Sequence, residues 1–144
     1  MRKSTMFALL CMVGCGGGDN VGPSTDLAGT WSMSLSDMNS GDYSCYTNIP
    51  IQLTLSQTGT TFGGSQTGGQ ITCSTPSGII VDNLIPGPVV NGTLNGSNLS
   101  FDFDGPAFHH IGSINGTSMS GTASWTYQSG PVTTLNGSWS AVKQ

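Results

Sequence analysis

The sequence predicts an all-β domain, an eight-stranded antiparallel barrel of up-and-down (meander) connectivity. Three observations lead there. Apolar residues recur at every second position through most of the chain, which is the spacing of half-buried strands. Similar segments open and close the folded part, Gly29-Thr30-Trp31-Ser32 and Gly137-Ser138-Trp139-Ser140. Helix formers are scarce: there is no Glu, no Arg after Arg2, and one Lys, Lys143, after Lys3, so the domain is not expected to be helical.

The chain begins with a targeting segment. Arg2 and Lys3 precede a mostly apolar run, Thr5–Val13, followed by Gly14-Cys15. A basic start, a short apolar middle and a small residue at the cut make a signal peptide, and the run is too short to span a bilayer. Met12-Val13-Gly14-Cys15 resembles the lipobox of bacterial lipoproteins, with Met12 where Leu is commoner. That resemblance implies cleavage before Cys15 and lipidation of Cys15. Several acyl chains anchor stably, since each buried CH₂ contributes about 0.8 kcal/mol. Gly16 rather than Asp after the cysteine implies, by the same resemblance, the outer membrane. The organisation expected is a signal peptide over 1–14, a lipidated Cys15 with a Gly-rich tether to 26, and a barrel over 27–144.

The strands follow in order. Leu27, Gly29, Trp31, Met33 and Leu35 share one side of the first, about Ala28–Ser36. Asp37–Tyr43 reads as a polar loop of turn formers. The second strand, about Asn48–Gln57, alternates Ile49, Ile51, Leu53 and Leu55 against Gln52 and Thr54, with Pro50 marking its entry. Thr58-Gly59 turns into a third strand running with interruptions from Thr60 to Ser74. Gly63-Gly64 and Gly68-Gly69 suggest bulges or sharp bends in it. Residues 75–88 carry an unpatterned Ile79-Ile80-Val81 punctuated by Pro76, Pro86 and Pro88, either a short extra strand or a loop capping one barrel end. Val89–Leu94 and Asn98–Asp104 flank Asn95-Gly96, a preferred hairpin turn. Asp104-Gly105-Pro106 turns into Ala107–Ile114, and Asn115-Gly116 turns into Thr117–Tyr127. Gln128–Pro131 leads into the last strand, Val132–Val142. An even number of strands sets the first and last antiparallel, so they can pair and remove the sheet edges.

Composition narrows function. Charged residues make up 7% of the chain, far below the usual quarter. Without Arg2 and Lys3, one Lys stands against seven Asp, a net charge of −6. Such a surface cannot neutralise phosphates, so nucleic acid is excluded as a partner. Cys11 leaves with the signal and Cys15 takes lipid, leaving Cys45 and Cys73 as an even pair outside the cytoplasm, where a disulfide is expected. It would stabilise by about 3.5 kcal/mol in the chain-entropy model.

The Gly-x-Trp opening, the closing Trp strand and the meander resemble the calycin barrels, which include lipocalins, avidin-like proteins and bacterial protease inhibitors. The Ser/Thr-rich hairpins also resemble lipocalin-like domains of bacterial lipoproteins. The likeness covers roughly residues 27–142 and carries barrel shape only. The lipocalin arginine that packs on the first Trp has no counterpart after Arg2, and the usual C-terminal helix is missing.

The inward phase collects Trp31, Phe101, Phe103, His110, Trp125, Tyr127 and Trp139, the candidates to line a lumen holding a small apolar ligand. A barrel of this size is just wide enough to be filled, or to hold one such molecule. His109-His110 with Asp102 and Asp104 is the one cluster of acid–base side chains. Neighbours on a strand face opposite ways, so His110 points in while His109 lies across from Asp102 on the outer face, a surface pair contributing at most about 1 kcal/mol. No third ligand or base completes a metal or catalytic set, and no nucleophile elbow, phosphate loop or dinucleotide fingerprint occurs. The chain therefore reads as a non-enzymatic, lipid-anchored envelope module without cofactor or metal, binding a small apolar ligand or a partner protein. The alternatives are a periplasmic protease inhibitor acting through its tether and a structural envelope protein.

Overall fold

The computed structural model describes residues 25–103, 107–127 and 133–144. The expected signal peptide, the lipidation site Cys15, most of the tether, the turns at 104–106 and 128–132, and the side chain of Tyr127 lie outside the described residues. Within them, eleven strands form one antiparallel sheet: β1 Gly29–Ser40, β2 Tyr43–Ile49, β3 Ile51–Thr58, β4 Thr61–Thr67, β5 Gln70–Thr75, β6 Gly78–Asn83, β7 Gly87–Asn95, β8 Asn98–Phe103, β9 Phe108–Asn115, β10 Ser118–Tyr127 and β11 Thr133–Lys143.

Eight of these close into a barrel in chain order, β1-β3-β4-β7-β8-β9-β10-β11, with β11 returning to β1. The seal is made by the two Gly-x-Trp segments: Ser32 pairs with Val142, Ser34 with Ser140, and Leu35 with Trp139. Closure depends on Gly137, whose missing Cβ would stand 2.6 Å from the Asp37 carbonyl oxygen. The architecture is the all-β barrel expected, compatible with a calycin-like fold.

The remaining strands, β2, β5 and β6, continue the same sheet beyond the rim as a flap. β2 pairs with the end of β1 through Met38 and Cys45, then with β5, and β5 with β6. The polar loop expected over Asp37–Tyr43 is instead strand on either side of a turn at Gly41-Asp42. The second and third expected strands each divide in two, at Pro50 and at Gly68-Gly69. Residues 75–88 contain the extra strand, β6. Their breaks are aligned. Ile49 pairs with Gln70 and Gln70 with Asn83, so Pro50, Gly68-Gly69 and Leu84-Ile85-Pro86 lie side by side across three strands. Proline lacks the N–H and glycine tolerates positive φ (Gly68 +64°, Gly69 +95°), so the ladder stops there and the sheet creases. The Leu84 N–H donates to the Gly69 carbonyl at 3.0 Å, and buried Gln66 donates through Nε2 to the Ile85 carbonyl. The Cys45–Cys73 disulfide joins two residues that face each other across β2 and β5.

Two hairpin turns are shifted by one residue from expectation. Asn95 pairs with Asn98 and Asn115 with Ser118, so the central residues are Gly96-Ser97 and Gly116-Thr117 rather than Asn-Gly. Glycine takes the first central position at φ +62° and +59°, the pattern of a type II′ turn, in which only that residue needs positive φ.

The N-terminal end of the barrel is plugged. Leu27 is fully buried, its N–H donates to the Gln57 Oε1 at 2.8 Å, and its carbonyl accepts from the Trp31 Nε1 at 2.9 Å. The Lys143 ammonium lies 5.5 Å from the Trp31 ring centroid and donates to the Asp26 carbonyl. A cation over an indole face contributes about 0.5–2 kcal/mol, depending on how dry it is.

Candidate functional site

Three places carry chemistry: the lumen, the flap and a patch of the outer wall.

Of the seven lumen candidates, Trp31, Phe101, Phe103, His110 and Trp139 are buried, and Trp125 is partly buried against them. Tyr127 lies on β10 with its side chain outside the description. The lumen side chains pack on one another. His110 stacks on Phe101 at 4.6 Å and on Phe108 at 4.6 Å, and Phe103 stands 4.5 Å away. Trp139 meets Phe101 edge-on at 5.4 Å, and its Nε1–H is shared between the Ile111 and Thr122 carbonyls. These are contact distances for aromatic rings, so side chains fill the barrel centre.

His110 is the anomaly of this core. It is fully buried, and neither ring nitrogen makes a hydrogen bond of ordinary geometry. Burial pushes its pKa down to about 3, while the backbone of Phe101 approaches closely enough to oppose the shift. The imidazole therefore sits neutral in an apolar shell.

The flap shows the opposite character. Every residue of β6 is exposed, and among the described residues its second edge has no partner strand. One face of the flap carries Tyr46, Val81 and Ile79, with Ile49 beyond them; Ile80 points to the other face and Ile85 stands at the crease. Exposed apolar residues are ordinary when scattered, but contiguous ones mark interaction sites.

On the outer wall, Asp102 pairs with His109 as the sequence predicts, at 2.5 Å between Oδ1 and Nδ1. It is not a surface pair on both sides. Asp102 is only 5% exposed, while the His109 side chain is about half exposed. Asn91 covers the carboxylate, donating from Nδ2 to Oδ2 at 2.8 Å. Sequence reasoning missed Asn91, because it reads as one more residue of the regular strand Val89–Leu94. It is a bulge in β7, where pairing with β8 slips between Val90 and Thr93 and Asn91 takes φ +55°. Loss of water raises the Asp102 pKa, but the hydrogen bonds from Asn91 and His109, with the charge of His109, hold it below its ordinary value of 3.8. Beside His109 the wall has a depression of about 220 Å³, lined by Ile111, Thr122, Ser124 and Asn136. Among the described residues no group of three or more His, Cys, Asp or Glu side chains is placed to hold a metal ion.

Comparison with protein-family models, curated proteins and solved structures finds no match.

Proposed function

We propose that this protein is a lipid-anchored envelope module whose barrel is a filled scaffold and whose flap docks a partner protein. The observation that carries the reading is the division of apolar surface. Inside, Trp31, Phe101, His110 and Trp139 occupy the centre where a small ligand would sit. Outside, Tyr46, Ile79 and Val81 form an exposed face beside a strand edge that no described strand pairs. An open edge with an apolar face suits β-strand addition: main-chain hydrogen bonds give affinity, and alternate side chains give selectivity. The occupant we assign is an extended apolar segment flanked by basic residues. Asp82 lies on β6 itself, and the domain that follows the tether holds one Lys against several Asp. The flap joins β1 at Met38–Ser40, the end of that strand away from Gly29.

The test has two parts. The intact mass of protein purified from its host should correspond to a chain beginning at acylated Cys15; a chain retaining residues 1–14, or cut without acyl groups, overturns the anchor. A photoactivatable side chain at position 81 should give a discrete protein adduct in the host envelope that is lost on Ile79→Lys. Adducts indistinguishable from those of the same probe at Thr93, outside the flap, overturn the docking reading.

A further inference from the structure

The outer wall carries an arrangement that no linear motif reveals. Following the register across neighbouring strands, Asp102 of β8 pairs with His109 of β9, His109 with Ser124 of β10, and Ser124 with Asn136 of β11. All four stand in the outward phase of their strands, so they form one row of carboxylate, imidazole, hydroxyl and amide. Directly opposed residues bring Cβ atoms to about 4.5–5.5 Å. The geometry points to an acyl-transfer site, with Ser124 as nucleophile, His109 as general base, Asp102 as its positioning group and Asn136 as donor to the oxyanion.

Each role follows from placement. Asp102 is buried and held from behind by Asn91, so it cannot turn away from the ring. Its bond to the His109 Nδ1 fixes the tautomer with the proton on that nitrogen, the orienting function a buried carboxylate serves for an imidazole base. The ring's two nitrogens point to different sides. With Nδ1 bonded to Asp102, Nε2 is the nitrogen that can take a proton, and Ser124 pairs with His109 on the neighbouring strand β10. His109, Ser124 and Asn136 line the same depression. Asn91 holds a positive φ that is unusual for a non-glycine residue, local strain of the kind that collects at functional sites.

The reaction balances within the row. The Ser124 hydroxyl oxygen attacks an ester carbonyl carbon as its proton passes to the His109 Nε2. The carbonyl oxygen takes the negative charge and accepts a hydrogen bond from the Asn136 Nδ2. The carbon–oxygen bond to the leaving alcohol then breaks, and the alcohol takes the proton from His109. Water then attacks the acyl carbon as the same nitrogen takes its proton; the bond from that carbon to the Ser124 oxygen breaks, the oxygen takes the proton back from His109, and the acid leaves. The depression, about 220 Å³, is smaller than the roughly 300–1,000 Å³ of sites for drug-sized ligands. With Ile111 on its wall and no Lys or Arg in its lining, it suits a short, uncharged acyl ester. Sequence order hides the site because its members come from four strands and meet only through register.

The test uses the full chain with two probes. A fluorophosphonate should label Ser124, located by peptide mass spectrometry, and p-nitrophenyl acetate should be hydrolysed. Ser124→Ala should abolish labelling and turnover. Asn136→Ala should lower kcat about 100-fold with little change in KM. Asp102→Asn should lower kcat at least tenfold with KM unchanged, and His109→Gln, at a half-exposed position, repeats that test where Asp102→Asn fails to fold. Labelling spread over many hydroxyls, no labelling, or hydrolysis that survives Ser124→Ala overturns the assignment.

Discussion

In β3 every second residue is buried, Ile51, Leu53 and Leu55, whereas in β6 all six residues are exposed although three of them are Ile79, Ile80 and Val81. Both strands belong to one sheet and lie on opposite sides of the same crease. Apolar composition therefore does not decide burial here. Curvature does: the barrel strands roll until β1 meets β11, giving each apolar face an inside, while the flap leaves the cylinder at Pro50 and Gly68-Gly69 and faces solvent. What holds the barrel is side-chain packing. What holds the flap is the ladder of β2 to the end of β1, its own internal ladders and disulfide, and the few residues it contributes to the core, Cys45 and Ile71.

The contrast is sharpest under mutation of the core. Trp139→Ala removes a buried side chain packed on Phe101 and hydrogen-bonded to two carbonyls. It should lower barrel stability by about 3–5 kcal/mol, read as a drop in the denaturation midpoint with the slope unchanged.

Acid should act on the barrel first through His110. The folded pKa of His110 lies near 3 against an ordinary 6.5, so the unfolded chain takes up a proton that the folded chain refuses. Stability is then full above pH 6.5 and declines as pH falls from there toward 3, by at most about 1.4 kcal/mol per pH unit. His110→Phe should flatten denaturation midpoints measured across that range. Asp102 adds a separate decline at lower pH, since its depressed pKa means that its contribution is lost only as pH falls below 3.8 through the folded value.

The flap should respond to redox rather than to packing. Replacing Cys45 and Cys73 together with Ser should cost up to about 3.5 kcal/mol in the chain-entropy model. Amide exchange should localise the effect, with β2, β5 and β6 losing protection while β8–β11 keep theirs. Equal loss in both regions would mean that barrel and flap unfold as one unit, and the comparison would fail. The smallest effect is expected at the barrel's plugged end, where Lys143→Met should lower the midpoint by a shift equivalent to about 0.5–1 kcal/mol through the lost cation over Trp31.

The barrel was legible because its signals are local. Alternation in Leu99, Phe101 and Phe103 fixes which face is inward, and the paired Gly-x-Trp segments announce closure. Gly68-Gly69 and Pro50 were legible as interruptions, but their alignment into one crease was not, because alignment is a property of register. β2 escaped notice since Tyr43–Ile49 follows turn formers and has one buried residue, Cys45. β6 left no period of two because neither of its faces is buried. The outer-wall row was illegible for a related reason: Asp102–His109 was found through a single hairpin, but Ser124 and Asn136 join it only across further strands.

The central claim is the seam between the two ends of the chain. Nuclear Overhauser contacts across β1 and β11, with Ser34 facing Ser140 and Leu35 facing Trp139, test it directly together with slow amide exchange along both strands. Both are expected of a closed barrel. Missing cross-seam contacts, with rapid exchange along one side of β1, would show an open sheet and contradict it.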